Sequence, residues 1–157
     1  MDQPKACMVA ADAALRTKPS NYPEPFASRM TGREKKPLGD PFGLSQFGVN
    51  LTTLSPGAVS ALHHQHSKQD EWVYVLSGEV TLYVGEENYP MRAGMCAGFR
   101  ANGTPHHLKN NSTDDATIIE VGTRVSGDAV SYATDDLVAV MGLNGQWVFE
   151  HKNGEPY

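Results

Sequence analysis

His64-Gln65-His66-Ser67-Lys68-Gln69-Asp70-Glu71 puts three potential metal ligands into eight residues, between two segments that both read as β-strands. In an extended chain side chains alternate with period 2, so His64 and His66 share one face and Gln65 takes the other. Ser67 to Asp70 favour a tight connection, and Glu71 opens the run Trp72-Val73-Tyr74-Val75-Leu76. That pattern predicts a strand returning a carboxylate beside the two imidazoles, a three-ligand hairpin. Neutral imidazole nitrogen and carboxylate oxygen form a donor set common to Zn(II), Fe(II), Mn(II), Ni(II) and Cu(II). The pattern points to a divalent transition metal without choosing one. A polar hairpin with solvated histidines is the plainer alternative, since imidazole is also a common surface group.

Outward from this stretch, turn signals and short apolar runs alternate. Phe47 to Leu54 predicts a strand with Phe47, Val49, Leu51 and Thr53 on one face, closed by Ser55-Pro56-Gly57. After the Glu71 to Leu76 strand, Ser77-Gly78 reads as a hairpin turn into Glu79 to Val84, and Gly85 to Asn88 as another turn before Tyr89 to Arg92. Met95 to Phe99, His106 to Asn110, Ala116 to Gly122 and Gln146 to His151 complete the expected strands, while the stretch beyond Thr123 lacks clear periodicity. Short strands at this spacing predict an all-β sandwich or barrel.

Upstream, Pro and Gly recur every few residues from Pro19 to Pro41, which excludes long regular elements and predicts an irregular arm over residues 1–43 ahead of a barrel domain over 44–157. Tyr22, Phe26, Met30, Leu38 and Phe42 make that arm too apolar for a free linker, so it should wrap the body or a neighbouring subunit. Arg33-Glu34-Lys35-Lys36 reads as a solvated loop, and Ala10 to Arg16 as a short helical turn with Asp12 as its N-cap.

Composition narrows the function classes. The 157 residues fit one domain, and a net charge of -5 without a long basic run speaks against a nucleic-acid backbone or an anionic membrane as direct partner. No stretch approaches the ~20 apolar residues of a membrane span, and the first residues lack a secretory pattern, so a cytoplasmic location is expected. The two cysteines, Cys7 and Cys96, form no disulfide framework, and Cys96 reads as a small core residue. Small molecules or other proteins remain as partners.

A second histidine cluster follows at His106-His107. Alternation lets one of the two face inward with Leu108, and that one is His106, because His107 shares its face with Lys109. If the sheet curls to bring His106 to His64, His66 and Glu71, the chain supplies three nitrogens and one carboxylate oxygen. Such a set leaves one or two positions open for water, substrate or dioxygen, as catalytic sites do.

Residues Gly57 to Gly78 read G-x6-H-x-H-x4-E-x6-G and resemble the first motif of the cupin superfamily, with one extra residue before the first histidine. Gly103-Thr104-Pro105-His106-His107-Leu108-Lys109-Asn110 resembles the G-x2-H-x3-N part of its second motif, although Arg100 or Ala101 stands where proline is expected. Further text, from Gly48 to Leu51, Asp70 to Leu76, Glu120 to Arg124 and His151 to Tyr157, resembles small single-domain bacterial cupins. The resemblance implies a double-stranded β-helix with His64, His66, Glu71 and His106 as ligands of a Zn, Fe, Mn or Ni ion. It also implies a small organic molecule as substrate or ligand, and, together with the apolar arm, a homodimer.

The expected function is a metal-dependent enzyme of dioxygenase, isomerase or decarboxylase type, with no catalytic residue identified beyond the ligands. Tyr83, His63 and His107 qualify by residue type alone. The alternative is a non-catalytic small-molecule binding or sensing domain. The lack of a helix-turn-helix pattern speaks against direct DNA binding.

Overall fold

In a computed structural model, which describes residues 6–157, two antiparallel sheets face each other and no α-helix occurs among those residues. The strands are β1 Arg33–Pro37, β2 Phe47–Leu54, β3 His64–His66, β4 Glu71–Ser77, β5 Glu79–Val84 and β6 Glu87–Arg92. They continue as β7 Cys96–Phe99, β8 His106–Lys109, β9 Ala116–Thr123, β10 Ala129–Tyr132, β11 Val138–Met141 and β12 Trp147–Glu150. One sheet has the order β1-β2-β9-β4-β7 and the other β12-β11-β10-β3-β8-β5-β6. This is the expected all-β double-stranded β-helix. No helix among the described residues is long and apolar enough to cross a membrane.

The chain passes repeatedly from one sheet to the other, which corrects two expected hairpins. β3 and β4 lie in opposite sheets, and so do β4 and β5. The Ser77-Gly78 turn is therefore a corner. Gly78 has φ +76°, and a Cβ there would sit 2.7 Å from the Asp115 carbonyl oxygen, so the corner demands glycine. The β5–β6 pair, joined at Gly85-Glu86, is a true hairpin.

The inner faces divide the barrel into two ends. Leu54, Val73, Val75, Val80, Leu82, Leu108 and Ile118 from both sheets form a closed apolar core at one end. Burial of each such side chain contributes about 1.5–3 kcal/mol. A second core joins Leu62, Val130, Leu137 and Ala139 to Phe26 and Met30, so the arm packs on its own barrel.

Between these cores the inward positions are polar, and β2 alternates as expected but turns its more polar face inward. Thr52 and Leu54 are buried and Gly48 and Asn50 line a cavity, whereas Phe47 is exposed. Apolar Phe47, Val49 and Leu51 stand on the outside of the sheet because the interior beside them is a hollow with polar walls. The Arg33 to Lys36 segment is likewise no solvated loop. It pairs with β2 from Arg33↔Leu54 to Pro37↔Asn50, and Arg33 is buried. Cys96 is exposed on the edge strand β7, and Ala10–Asp12 is a single 3-10 turn ending at Asp12, which therefore does not act as its N-cap.

Candidate metal centre and cavity

Strand β3 presents His64 and His66 inward, and the β3–β8 pairing sets His64 directly opposite His106. Glu71 approaches from the other sheet, at the first position of β4. Its carboxylate lies 3.3 Å from His64 Nε2, 3.7 Å from His66 Nε2 and 2.9 Å from His106 Nε2. Ligand atoms of His64, His66 and Glu71 all lie within 4.8 Å of one another. The structure thus brings the four expected residues together. It does so across the barrel, with imidazoles from one sheet and the carboxylate from the other.

Each ring is oriented from behind. His64 Nδ1 is 2.8 Å from the Leu62 carbonyl oxygen, His66 Nδ1 is 2.5 Å from Asp128 Oδ2, and His106 Nδ1 is 3.3 Å from the Thr104 carbonyl oxygen. An acceptor behind Nδ1 selects the tautomer with its proton there and turns the Nε2 lone pair toward the centre. Phe99 stacks on His106 with centroids 3.6 Å apart and fixes that ring's plane. Three Nε2 lone pairs gathered on a carboxylate repel its oxygens unless a proton or a cation lies between them. The donor set and its orientation fit a divalent transition metal.

Electrostatics couple the carboxylate to the imidazoles, and in the absence of a cation a proton competes for the same Nε2 lone pairs. Burial alone would push the Glu71 carboxyl up, but its contacts with His106 and His64 prevail and hold it well below the usual carboxylate range. Burial would depress His64, yet the same carboxylate raises it above the ordinary imidazole value.

Asp128 was invisible to sequence reasoning. It is 1% exposed and takes hydrogen bonds from the Ser67 hydroxyl (3.1 Å) and the Lys68 N–H (2.7 Å) as well as contacting His66. The signal for it was absent because it sits outside any periodic segment and reaches His66 through the β10–β3 pairing, which the sequence did not reveal.

The cluster opens into a cavity of about 660 Å³, whose walls include Arg33, Lys35, Asn50, Glu120, Tyr22, Tyr132 and Trp147. Glu120 lies on β9, where Gly122 pairs with Glu71, so Glu120 is the diagonal same-face neighbour of Glu71, a relation that spans ~7–8 Å. Its Oε2 accepts from the Thr52 hydroxyl at 2.5 Å and is 2.8 Å from Lys35 Nζ. His63, His107 and Tyr83 do not line this cavity. His63 and His107 face each other through Nδ1 atoms at 2.9 Å, and Tyr83 stacks on His107.

Two facing antiparallel sheets with a His-His-Glu cluster inside the barrel fit the cupin architecture, and residues 50–122 match the family model described as "Cupin domain". The chain belongs to the cupin superfamily. It is 37% identical to a structure from Silicibacter pomeroyi DSS-3 described as a sugar phosphate isomerase of that superfamily, over 96% of both chains, with a TM-score of 0.89. A second structure, a candidate sugar phosphate isomerase from Acidithiobacillus ferrooxidans, is 31% identical over 80% of each chain, with a TM-score of 0.72. The polyketide cyclase RemF from Streptomyces resistomycificus shares the fold at 16% identity, covering 76% of this chain and 79% of its own, with a TM-score of 0.62. Among proteins with curated descriptions, none matches this sequence.

Proposed function

We propose that the protein is a metal-dependent isomerase of small hydroxycarbonyl compounds, with His64, His66, Glu71 and His106 holding the metal. The observation that carries this reading is the convergence of three oriented Nε2 atoms on Glu71 at one wall of a cavity that has a second carboxylate, Glu120, on the adjoining strand. The name of the relative that is 37% identical over 96% of both chains favours isomerisation over oxygenation or decarboxylation.

A divalent ion there would supply Lewis-acid polarisation of a carbonyl and its neighbouring hydroxyl. The protein's own groups do the rest. Glu120 takes the proton from the carbon beside the carbonyl and returns it to the former carbonyl carbon, while the hydroxyl proton passes to the former carbonyl oxygen. Atoms balance without an external oxidant. Lys35 and Thr52 hold the Glu120 carboxylate in place. Trp147 and Phe99 add apolar surface to the cavity wall.

The test follows the migrating proton. Metal-loaded protein in D2O is mixed with a panel of aldose and ketose phosphates, and deuterium entry beside the carbonyl is followed by proton NMR. Exchange with the wild type and at least a hundredfold slower exchange with Glu120→Gln at equal metal content are expected. Metal content below about 0.1 equivalent after loading with Zn, Fe, Mn or Ni would overturn the metal assignment. Oxygen uptake or carbon dioxide release without exchange would overturn the isomerase assignment, and ligand binding without any turnover would make the chain a sensing module.

The same proposal includes a homodimer. The outer face of the five-stranded sheet carries Phe47, Trp72 and Leu76 at 39%, 41% and 50% exposure, with Tyr74 between the latter two strand positions. The described part of the arm adds β1 to one edge of this sheet and packs Phe26 and Met30 on the second core, so the exposed side chains are available to a second copy.

A further inference from the structure

The charges along the cavity wall do not balance. Among the described residues, four cations line it: Arg16, Arg33, Lys35 and Arg124. Lys35 pairs with Glu120 and Arg124 with Asp40, while Arg16 and Arg33 have no carboxylate within 4.0 Å among the described residues. Glu71, the remaining carboxylate of the wall, is engaged by the three histidines. A chain with a net charge of -5 thus keeps a locally cationic interior.

Arg33 is the more informative of the two. It is only 8% exposed, yet its charge has no counter-ion, and its Nε is buried without an acceptor. One terminal nitrogen donates to the Ser60 carbonyl oxygen at 2.7 Å and the other to the Pro19 carbonyl oxygen at 3.0 Å. These bonds fix the guanidinium plane and use two of its five N–H donors. Neutral donors would serve two carbonyls without the desolvation cost of burying a charge. Burial lowers the pKa of Arg33 and the charge of Arg16 adds to that, while Tyr22 and the more distant Glu120 offset it only in part. A buried guanidinium held rigid, short of one acceptor and short of a counter-charge, is arranged for an oxyanion that arrives with a ligand.

We propose that Arg33, assisted by Arg16, forms an oxyanion subsite that takes the phosphate monoester end of the substrate, while its carbonyl end lies at the histidine cluster. A phosphate monoester carries about -1.5 to -2 at neutral pH, which matches the two unpaired cations, whereas a carboxylate would satisfy one. The inference deepens the isomerase reading and rests on it for the other end of the substrate. The anion subsite itself requires neither metal nor turnover.

Calorimetric titration of the metal-free protein, at fixed ionic strength, with inorganic phosphate, ribose 5-phosphate and ribose reads the subsite directly. The wild type should bind the first two and not ribose, and Arg33→Gln should weaken phosphate binding by at least about tenfold, with Arg16→Ala giving a smaller loss. Unchanged phosphate affinity in folded Arg33→Gln, or no phosphate binding by the wild type, would overturn the subsite. If Arg33→Gln does not fold, the wild type decides: a phosphate-induced rise in melting temperature over chloride, together with a shift of the buried arginine Nε–H resonance, supports the proposal, and the absence of both rejects it. Phosphate binding that needs Arg33, without deuterium exchange in any sugar phosphate, would sink the isomerase reading and leave the subsite standing. Exchange with phosphate affinity indifferent to Arg33 would do the reverse.

Discussion

His66 Nδ1 lies 2.5 Å from Asp128 Oδ2, and the carboxylate that orients this ring is itself buried and tied to the start of the loop after β3. Asp128 acts on the centre only through His66. Asp128→Asn should lower metal affinity by ~10–100-fold, measured by competition with a chromogenic chelator. The four-residue cluster stays intact in that variant, so undiminished affinity would reduce Asp128 to a loop anchor.

His106 and His107 are adjacent and point in opposite directions. Alanine at His106 should therefore cost the protein most of its bound metal, while alanine at His107 should leave metal content near that of the wild type. Metal analysis of the two variants after identical loading checks this, and equal losses would contradict the inward placement of His106 alone.

Burial first, and then the neighbouring His63, push the His107 imidazole down from the ordinary 6.5 to about 4. The folded state thus favours the neutral ring. Its contribution to stability is complete above pH 6.5 and is lost as the pH falls toward 4, because the unfolded chain takes up the proton first. Urea midpoints of the wild type should fall over that window more steeply than those of His107→Gln. A His107 ring that titrates near 6.5 by NMR would contradict this.

Light scattering should find a dimer, and Phe47→Glu with Leu76→Glu should convert it to a folded monomer that keeps its metal, since both side chains are exposed and neither lines the cavity. A monomeric wild type, or a charged variant that stays dimeric, would move the interface elsewhere or remove it.

Ligand chemistry made half of the site legible. A metal accepts few residue types, and β-alternation fixes their local spacing, so His64, His66, Glu71 and His106 stood out. The groups behind them did not, because a carboxylate such as Asp128 acquires its role from a strand pairing 62 positions away in the chain. Arg33 and Glu120 escaped for a different reason: charges that line a hollow look in sequence like charges that face water. On β2 alternation separated the two faces, and the hollow is the reason the one that carries Gly48 and Asn50 turns inward. β10 and β11 were missed because the stretch beyond Thr123 shows no clear period that would set such short strands apart. The three-ligand hairpin became a bridge between sheets because the Ser67 to Asp70 connection, like the corner at Gly78, has the local composition of a hairpin turn.

That bridge has a dynamic consequence. At one end of the barrel the sheets adhere through interlocked aliphatic side chains, whereas near the mouth Glu71 from one sheet meets three imidazoles from the other. A cation there would act as a clasp, so chelation should loosen the rim without melting the hub. Amide protons of β3 and the first residues of β4 should then exchange faster in the stripped protein, while those around Leu54, Val75 and Ile118 keep their protection.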